Sequence, residues 1–182
     1  MIPSSTIRTA SPCLVLLAAT SLLLAACTSA PQAAPSPTPL FSSKDDAFAA
    51  AEATYRAYND AGNDRRNGDL SAKPQRFLRG EALEAELAAE DYLRSKGLQL
   101  VGDVSVTDFI GLDADVKPAR TLLTALVCLD VSRARLVSVE GTDVTSTERP
   151  PVLAQTVQMS ADVGDLLIDH EEEAAADQCS EQ

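Results

Sequence analysis

The sequence is poor in aromatic and basic side chains. It contains no Trp, three Tyr and four Phe, and its 15 Lys and Arg stand against 27 Asp and Glu, for a formal net charge of −12. Proteins that bind nucleic acids neutralise phosphates with basic side chains and often stack bases on aromatic ones. We therefore expect no nucleic-acid partner.

Motifs of phosphate binding, nucleophilic catalysis and metal ligation are also missing. There is one His, His170, and no Gly-rich phosphate loop, Ser nucleophile elbow, CxxC pair or His-rich metal pattern. The acidic run Glu171–Glu173 lacks the spaced ligands of a calcium loop and is interpreted as a solvated face. From the sequence we assign no catalytic residue, no cofactor and no metal.

One long apolar run is present, Leu14–Ala26, and only Thr20 and Ser21 interrupt it. It is shorter than the about 20 residues of a usual transmembrane helix, and it predicts a signal peptide over residues 1–26. The run ends in a Leu, two small residues and a Cys, at Leu24, Ala25, Ala26 and Cys27. This ending resembles the lipobox of bacterial lipoproteins, which implies cleavage before Cys27 and lipidation of its thiol. The alternative is an ordinary secretory signal that happens to contain a Cys.

The chain after the signal predicts a tether and then one domain. Residues 28–43 contain four Pro, many Ala and Ser, and no charged side chain, so this segment cannot bury enough apolar surface to fold. We predict a lipidated Cys and tether over 27–43 and a single domain over 44–182. The signal peptide predicts export, and the two acyl chains of a lipidated Cys27 are about what stable membrane attachment requires. We therefore expect the protein on the outer face of the cytoplasmic membrane.

Two helices are predicted at the start of the domain. Ser43 and Asp46 have the spacing of a capping box, and the apolar residues that follow recur at helical spacing as far as Asn59–Gly62. This apolar stripe is interpreted as core, with one wall of a ligand pocket as the alternative. The second predicted helix covers Gly80–Lys96, and Gly97 fits the position after its C-terminus.

A basic patch lies in the polar segment between these helices. The segment holds five Lys and Arg side chains: Arg65, Arg66, Lys73, Arg76 and Arg79. Such a patch either binds an acidic partner surface or offsets the charge of the domain itself.

The periodicity changes from helix to strand after Gly97. We predict a half-buried strand over Leu100–Gly111, a turn over Asp113–Pro118 and the most buried strand over Thr121–Val131. The remaining predicted strands are Leu136–Val139, Asp143–Thr145, Val152–Ser160 and Leu166–Glu171. Helices followed by a run of antiparallel strands predict an α+β fold, in which the N-terminal helices pack on a curved antiparallel sheet.

Two Cys lie in the predicted domain, Cys128 in the buried strand and Cys179 near the C-terminus. An exported protein meets oxidising conditions, so this pair predicts a disulfide. The bridge would hold the acidic tail that begins at Glu171 against the sheet.

The order of these segments resembles small actinobacterial lipoproteins of the NTF2-like (cystatin-like, SnoaL-type) superfamily. The resemblance is carried by Cys128–Ser132, the strand Leu136–Val139, the turn Glu140–Gly141, Arg149–Pro150 and Cys179. It implies a cone-shaped α+β domain at the cell surface. It implies no particular activity, because one fold hosts unrelated functions.

Two functions follow as hypotheses. In the first, the protein is a non-catalytic lipoprotein whose domain docks to another envelope protein, with the basic patch as a docking face. In the second, the cone binds a small apolar ligand, or acts as an enzyme that uses His170 with Asp108 or Asp130 as its carboxylate partner. His170 shares strand parity with Leu166 and Ile168, so this hypothesis places it inside the cone.

Overall fold

The computed structural model describes residues 38–162 and 164–179. In these residues, helices precede antiparallel strands. The predicted signal peptide, Cys27 and most of the predicted tether lie outside these residues. The elements are α1 (Lys44–Arg66), a 3-10 turn (Pro74–Phe77), α2 (Gly80–Ser95), β1 (Leu98–Val101), β2 (Ser105–Lys117), β3 (Arg120–Asp130), β4 (Arg135–Ser138), β5 (Val152–Ala161), β6 (Leu167–Ala174) and a final 3-10 turn (Ala176–Cys179). Among the described helices, none combines the length and the apolar character that a membrane span requires.

Helix α1 begins where the sequence predicts and ends later. The Ser43 hydroxyl accepts a hydrogen bond from the Asp46 amide at 3.0 Å, which caps the first turn. The helix continues to Arg66, so the predicted end at Asn59–Gly62 is wrong. The polar residues that suggested an end instead bind the chain directly before β2. Asn59 and Asn63 both donate to the Val104 carbonyl there, at 2.9 Å.

Helix α2 confirms its prediction. It covers Gly80–Ser95, and Gly97 follows it with a φ of +63°, the left-handed conformation that favours glycine at this position. The helix buries little of its surface, since Ala82 is its one buried residue. A cleft therefore remains between α2 and the rest of the domain.

The strands form two antiparallel sheets. The larger has the order β2-β3-β5-β6, and the smaller pairs β1 with β4. Strand β3 lies in the interior of the larger sheet, with Val127 opposite Phe109 on one side and Gln155 on the other. Its predicted position as the most buried strand is confirmed, because seven of its residues are at most 8% exposed: Thr121, Leu123, Ala125, Leu126, Val127, Cys128 and Leu129.

The predicted strand Leu100–Gly111 is two strands that belong to different sheets. The chain breaks at Gly102, which has a φ of +84°, and a Cβ there would lie 2.3 Å from the Arg133 carbonyl oxygen. This close approach requires glycine and redirects the chain from β1 into β2.

The predicted turn Asp113–Pro118 is also wrong, because β2 continues to Lys117 and pairs with β3 as far as Arg120. A register shift between Gly111 and Asp113 turns Ala114 toward the core, where it is 3% exposed. The acidic residues that suggested a turn are the outward positions of an edge strand.

The core lies between α1 and the inner face of the larger sheet. Helix α1 contributes Ala47, Ala51 and Tyr55, each at most 2% exposed. The sheet contributes large apolar side chains from its interior strands and from β6: Leu123, Val127, Val157, Met159 and Ile168. Small residues on α1 allow the helix to approach the sheet closely, and Tyr55 extends across the gap that remains.

The predicted disulfide between Cys128 and Cys179 is confirmed, with a Cα–Cα distance of 5.7 Å. Cys128 is 1% exposed and lies opposite Ala154 on the face of the sheet that points away from α1. The bridge therefore holds the final 3-10 turn against this outer face. The last predicted strand ends later than predicted, because β6 continues past Glu171 to Ala174.

Candidate ligand-binding site

A cavity of about 580 Å³ lies between α1, α2 and the inner face of the sheet. Its volume is within the range of roughly 300–1,000 Å³ that is usual for small-molecule sites. The apolar lining comes from α2 and from three strands or the residues next to them, β1, β2 and β3: Ala82, Ala85, Ala89, Leu100, Val104, Leu129 and Val131. Polar side chains converge on the same space: Tyr58, Asn59, Arg66, Glu86, Gln155, His170 and Glu171.

Tyr55 and Glu171 form the floor of the cavity. The Tyr55 hydroxyl lies 2.9 Å from Glu171 Oε1 and 3.1 Å from Gln155 Oε1, and it donates its proton to one of them at a time. Burial raises the pKa of Glu171, the Tyr55 hydrogen bond opposes this, and the nearby Glu86 raises it further. The ionised Glu171 carboxylate is therefore destabilised by its surroundings and stabilised by one hydrogen bond.

Tyr58 and Glu86 face each other across the cavity from the two helices. The Tyr58 ring packs edge-on against Tyr55, with 5.7 Å between ring centroids. Burial raises the pKa of the Tyr58 hydroxyl, and the negative charges of Glu171 and Glu86 raise it further. Burial also raises the pKa of Glu86 and the neighbouring Glu90 adds to the effect, while the charges of Arg66 and Arg65 oppose it. Within the described part of the chain, no hydrogen bond or ion pair joins the Glu86 carboxylate to another group.

Arg66 closes one end of the cavity. Its Nε donates to the Gly102 carbonyl at 3.2 Å and its Nη2 donates to Asn63 Oδ1 at 2.5 Å. Burial lowers the pKa of Arg66, while the charges of Tyr58, Glu86 and Asp103 raise it. Because two of its nitrogens bind the protein, the guanidinium is fixed as part of the wall.

The parity argument for His170 is wrong. His170 lies in β6, and the pairing of β6 with β5 has a register shift at Gln158 and Met159 of β5, so that Ile168 lies opposite Met159 while His170 lies opposite Gln158. The shift places Glu171, rather than His170, on the face that carries Ile168.

His170 lines the cavity from its edge, where its Nδ1 lies 2.8 Å from Glu81 Oε2. The structure does not bring its proposed carboxylate partners to it. Asp130 accepts from the Ser132 amide in its own turn, and neither Asp108 nor Asp130 lines the cavity.

The five basic residues of the predicted patch do not share one surface. Arg66 lines the cavity, whereas Arg79 binds Asp169 and Ser160 at the hairpin between β5 and β6. Arg65 and Lys73 donate to the Leu70 carbonyl, and Arg76 lies over the Phe77 ring at 4.5 Å. Most of these side chains therefore stabilise the domain's own loops.

The sequence interpretation missed Glu171 and Glu86 as site residues. From the sequence, Glu171 is placed in a solvated acidic run and Glu86 is given no role. A usable signal was present in α2, where Ala82, Ala85 and Ala89 recur at helical spacing beside Glu86. Small side chains on the helix face that points toward a sheet leave space unfilled, and a carboxylate beside that space is available to a ligand.

Comparison with known proteins identifies a similar fold and no family. No protein-family model matches the sequence, and no curated protein matches it. Among solved structures, the chain is similar to the intermembrane space region of the chloroplast protein ARC6, with a TM-score of 0.51 and 14% identity. The match covers 70% of this chain and 96% of that one. At this identity the similarity concerns the fold alone.

Proposed function

We propose that the protein is a lipid-anchored extracytoplasmic lipoprotein whose domain binds a small molecule, without catalysis, in the cavity between α1, α2 and the sheet. The fold proposed for it is an NTF2-like cone, with the cavity at the open end. The observation that carries the binding proposal is the convergence of Tyr58, Glu86 and Glu171 on one cavity with apolar walls. Such convergence of polar groups with perturbed pKa values on an apolar pocket is typical of ligand sites.

Two features support the extracytoplasmic location. The lipobox-like segment ending at Cys27 provides the attachment point for acyl chains. The disulfide between Cys128 and Cys179 is the kind of bond that persists in oxidising compartments. A cytosolic protein would keep these two thiols reduced.

The cavity favours ligand binding over simple docking. A domain that only docks to a partner needs an exposed face and has no use for an interior space. Here, α2 presents alanines toward the sheet, so that the space between helix and sheet stays open. The predicted docking patch, in contrast, is largely engaged by the protein itself.

A matched pair of alanine substitutions tests the cavity. Ala85 lines it, whereas Ala88 lies on the solvent side of the same helix and does not line it. In the purified full-length chain, Ala85→Phe fills the cavity and Ala88→Phe leaves it open. The probe is N-phenyl-1-naphthylamine, a neutral dye whose fluorescence increases in apolar surroundings.

We expect the wild type and Ala88→Phe to bind the dye with the same affinity and Ala85→Phe to lose at least roughly tenfold in affinity, because the added ring occupies the site. Circular dichroism of all three proteins verifies that the fold is retained. Equal binding by the two Phe variants would contradict the cavity proposal.

Lipidation is tested separately with Cys27→Ser. In cells fed radiolabelled palmitate, the wild type should carry label and sediment with membranes, and the variant should do neither. Label on the variant, or its absence from the wild type, would overturn the lipid anchor and leave the cavity proposal standing.

A further inference from the structure

The cavity continues into a groove with apolar and charged walls. This groove of about 630 Å³ runs between α2, the end of α1 and the small sheet of β1 and β4. The two spaces share six lining residues: Gly62, Arg66, Pro74, Glu86, Ala89 and Leu100. Beyond these, the groove is lined by the apolar side chains of Leu70, Leu93, Leu98, Val101 and Val139 and by the charged ones of Arg65, Glu90 and Arg94. Leu70 and Val139 are 74% and 66% exposed. A ligand that reaches from the cavity into the groove would cover these exposed side chains.

The cavity itself carries an excess of negative charge. Glu81, Glu86 and Glu171 line it, against Arg66 and the imidazole of His170. Arg66 already binds Gly102 and Asn63, and His170 faces Glu81. The Tyr55 hydroxyl donates to the half-buried Glu171 carboxylate, whereas no hydrogen bond or ion pair joins the half-buried Glu86 carboxylate to another described group.

Glu86 and Glu171 are half-buried carboxylates that have lost part of their hydration, and a cation that enters the site stabilises their charges. An anionic ligand would add repulsion to two carboxylates that already repel each other. A neutral ligand would leave the Glu86 carboxylate without an ion pair. Charge complementarity thus favours a ligand with a compact positive group that donates several hydrogen bonds, and a protonated amine has these properties.

We propose that the ligand is an amphiphile with a protonated amine, bound with its amine between Glu86 and Glu171 and its apolar tail in the groove. This inference rests on the proposed function and adds the chemical class of the ligand. Tyr58 completes the amine site as a neutral hydroxyl that accepts from the ammonium group. The exposed Leu70 and Val139 complete the tail site.

The test compares four probes that displace N-phenyl-1-naphthylamine from the purified full-length chain. Decylamine, decanol and decanoate share one alkyl chain and differ in charge, and butylamine keeps the amine with a shorter tail. We expect decylamine to bind roughly tenfold or more tightly than decanol, and decanoate to bind most weakly. Butylamine should bind roughly a hundredfold more weakly than decylamine, because most of the tail is missing.

Three charge-neutralising variants assign the effect to residues. Glu86→Gln and Glu171→Gln should each weaken decylamine roughly tenfold and leave decanol unchanged. Glu84→Gln is the matched control, because Glu84 is exposed on the same helix and lines neither the cavity nor the groove. It should bind all four probes as the wild type does.

The outcomes separate the two proposals. If decanol binds as tightly as decylamine and neither Glu86→Gln nor Glu171→Gln changes the affinity, the proposed amine is overturned. The proposed binding cavity would still be supported. If butylamine binds as tightly as decylamine, the proposed role of the groove as the tail site is overturned. Failure of the wild type to bind the dye or any probe overturns the proposed function itself.

Discussion

Removal of the disulfide should destabilise the domain by a large and measurable amount. Cys128 and Cys179 are 51 residues apart in sequence, and the bridge closes a loop that contains β4, β5 and β6. In the chain-entropy model, a crosslink of this span lowers the conformational entropy of the unfolded state enough to stabilise the fold by roughly 4 kcal/mol at 25 °C.

The substitution to make is Cys179→Ser. Cys179 lies in the final turn and is partly exposed, so a hydroxyl there meets solvent, whereas Cys128 is 1% exposed and would bury one. With a urea dependence of about 2 kcal/mol per molar, a loss of 4 kcal/mol lowers the unfolding midpoint by about 2 M. Far-UV circular dichroism is the suitable probe, because the chain contains no Trp.

Wild-type protein in reductant is the internal control. Its midpoint should coincide with that of Cys179→Ser, because both lack the same covalent link. If Cys179→Ser unfolds at the same urea concentration as the oxidised wild type, the bridge contributes nothing, and the reasoning about the C-terminal segment is refuted.

Three further predictions concern stability. Gly111→Ala should destabilise the fold by about 1–3 kcal/mol in urea unfolding, because the new Cβ would lie 2.5 Å from a Phe48 ring carbon; an unchanged midpoint would contradict that packing. Arg79→Ala should cost about 1–2 kcal/mol, because the half-buried Asp169 carboxylate loses its charged donor and keeps the Ser160 hydroxyl as its donor, and an unchanged midpoint would contradict this. Burial and Glu90 raise the pKa of Glu86 above its unfolded value of 4.5, so its contribution to stability is present below that pH and is lost as pH rises. Glu86→Gln should therefore unfold at a higher urea concentration than the wild type at pH 7 and at a similar one at pH 4.5, and a variant less stable than the wild type at pH 7 would reverse this sign.

Local patterns were sufficient to predict most of the elements. The cap at Ser43, the glycine that ends α2 and the apolar run of β3 each depend on residues close in sequence, and all three are confirmed. The disulfide was predicted by counting, because two Cys remained in an exported domain. These features need no knowledge of the tertiary structure.

The wrong predictions concern features that depend on contacts between segments far apart in the sequence. The break at Gly102 depends on the Arg133 carbonyl, which is 31 positions away in the chain, and the length of α1 depends on contacts with Val104. The orientation of β6 depends on its irregular pairing with β5, because of which Glu171 rather than His170 lies on the inner face. Strand parity read from one segment cannot include a register shift that its partner imposes.

The central claim is that the space between α1, α2 and the sheet is a ligand site, and a crystal structure tests it most directly. Crystals of the wild-type chain would be grown with N-phenyl-1-naphthylamine. We predict density for the dye between Tyr58 and Ala85, with the helices in the positions described above. Dye bound only on the outer surface, with α2 closed onto the sheet and the Ala85 side packed, would contradict the claim.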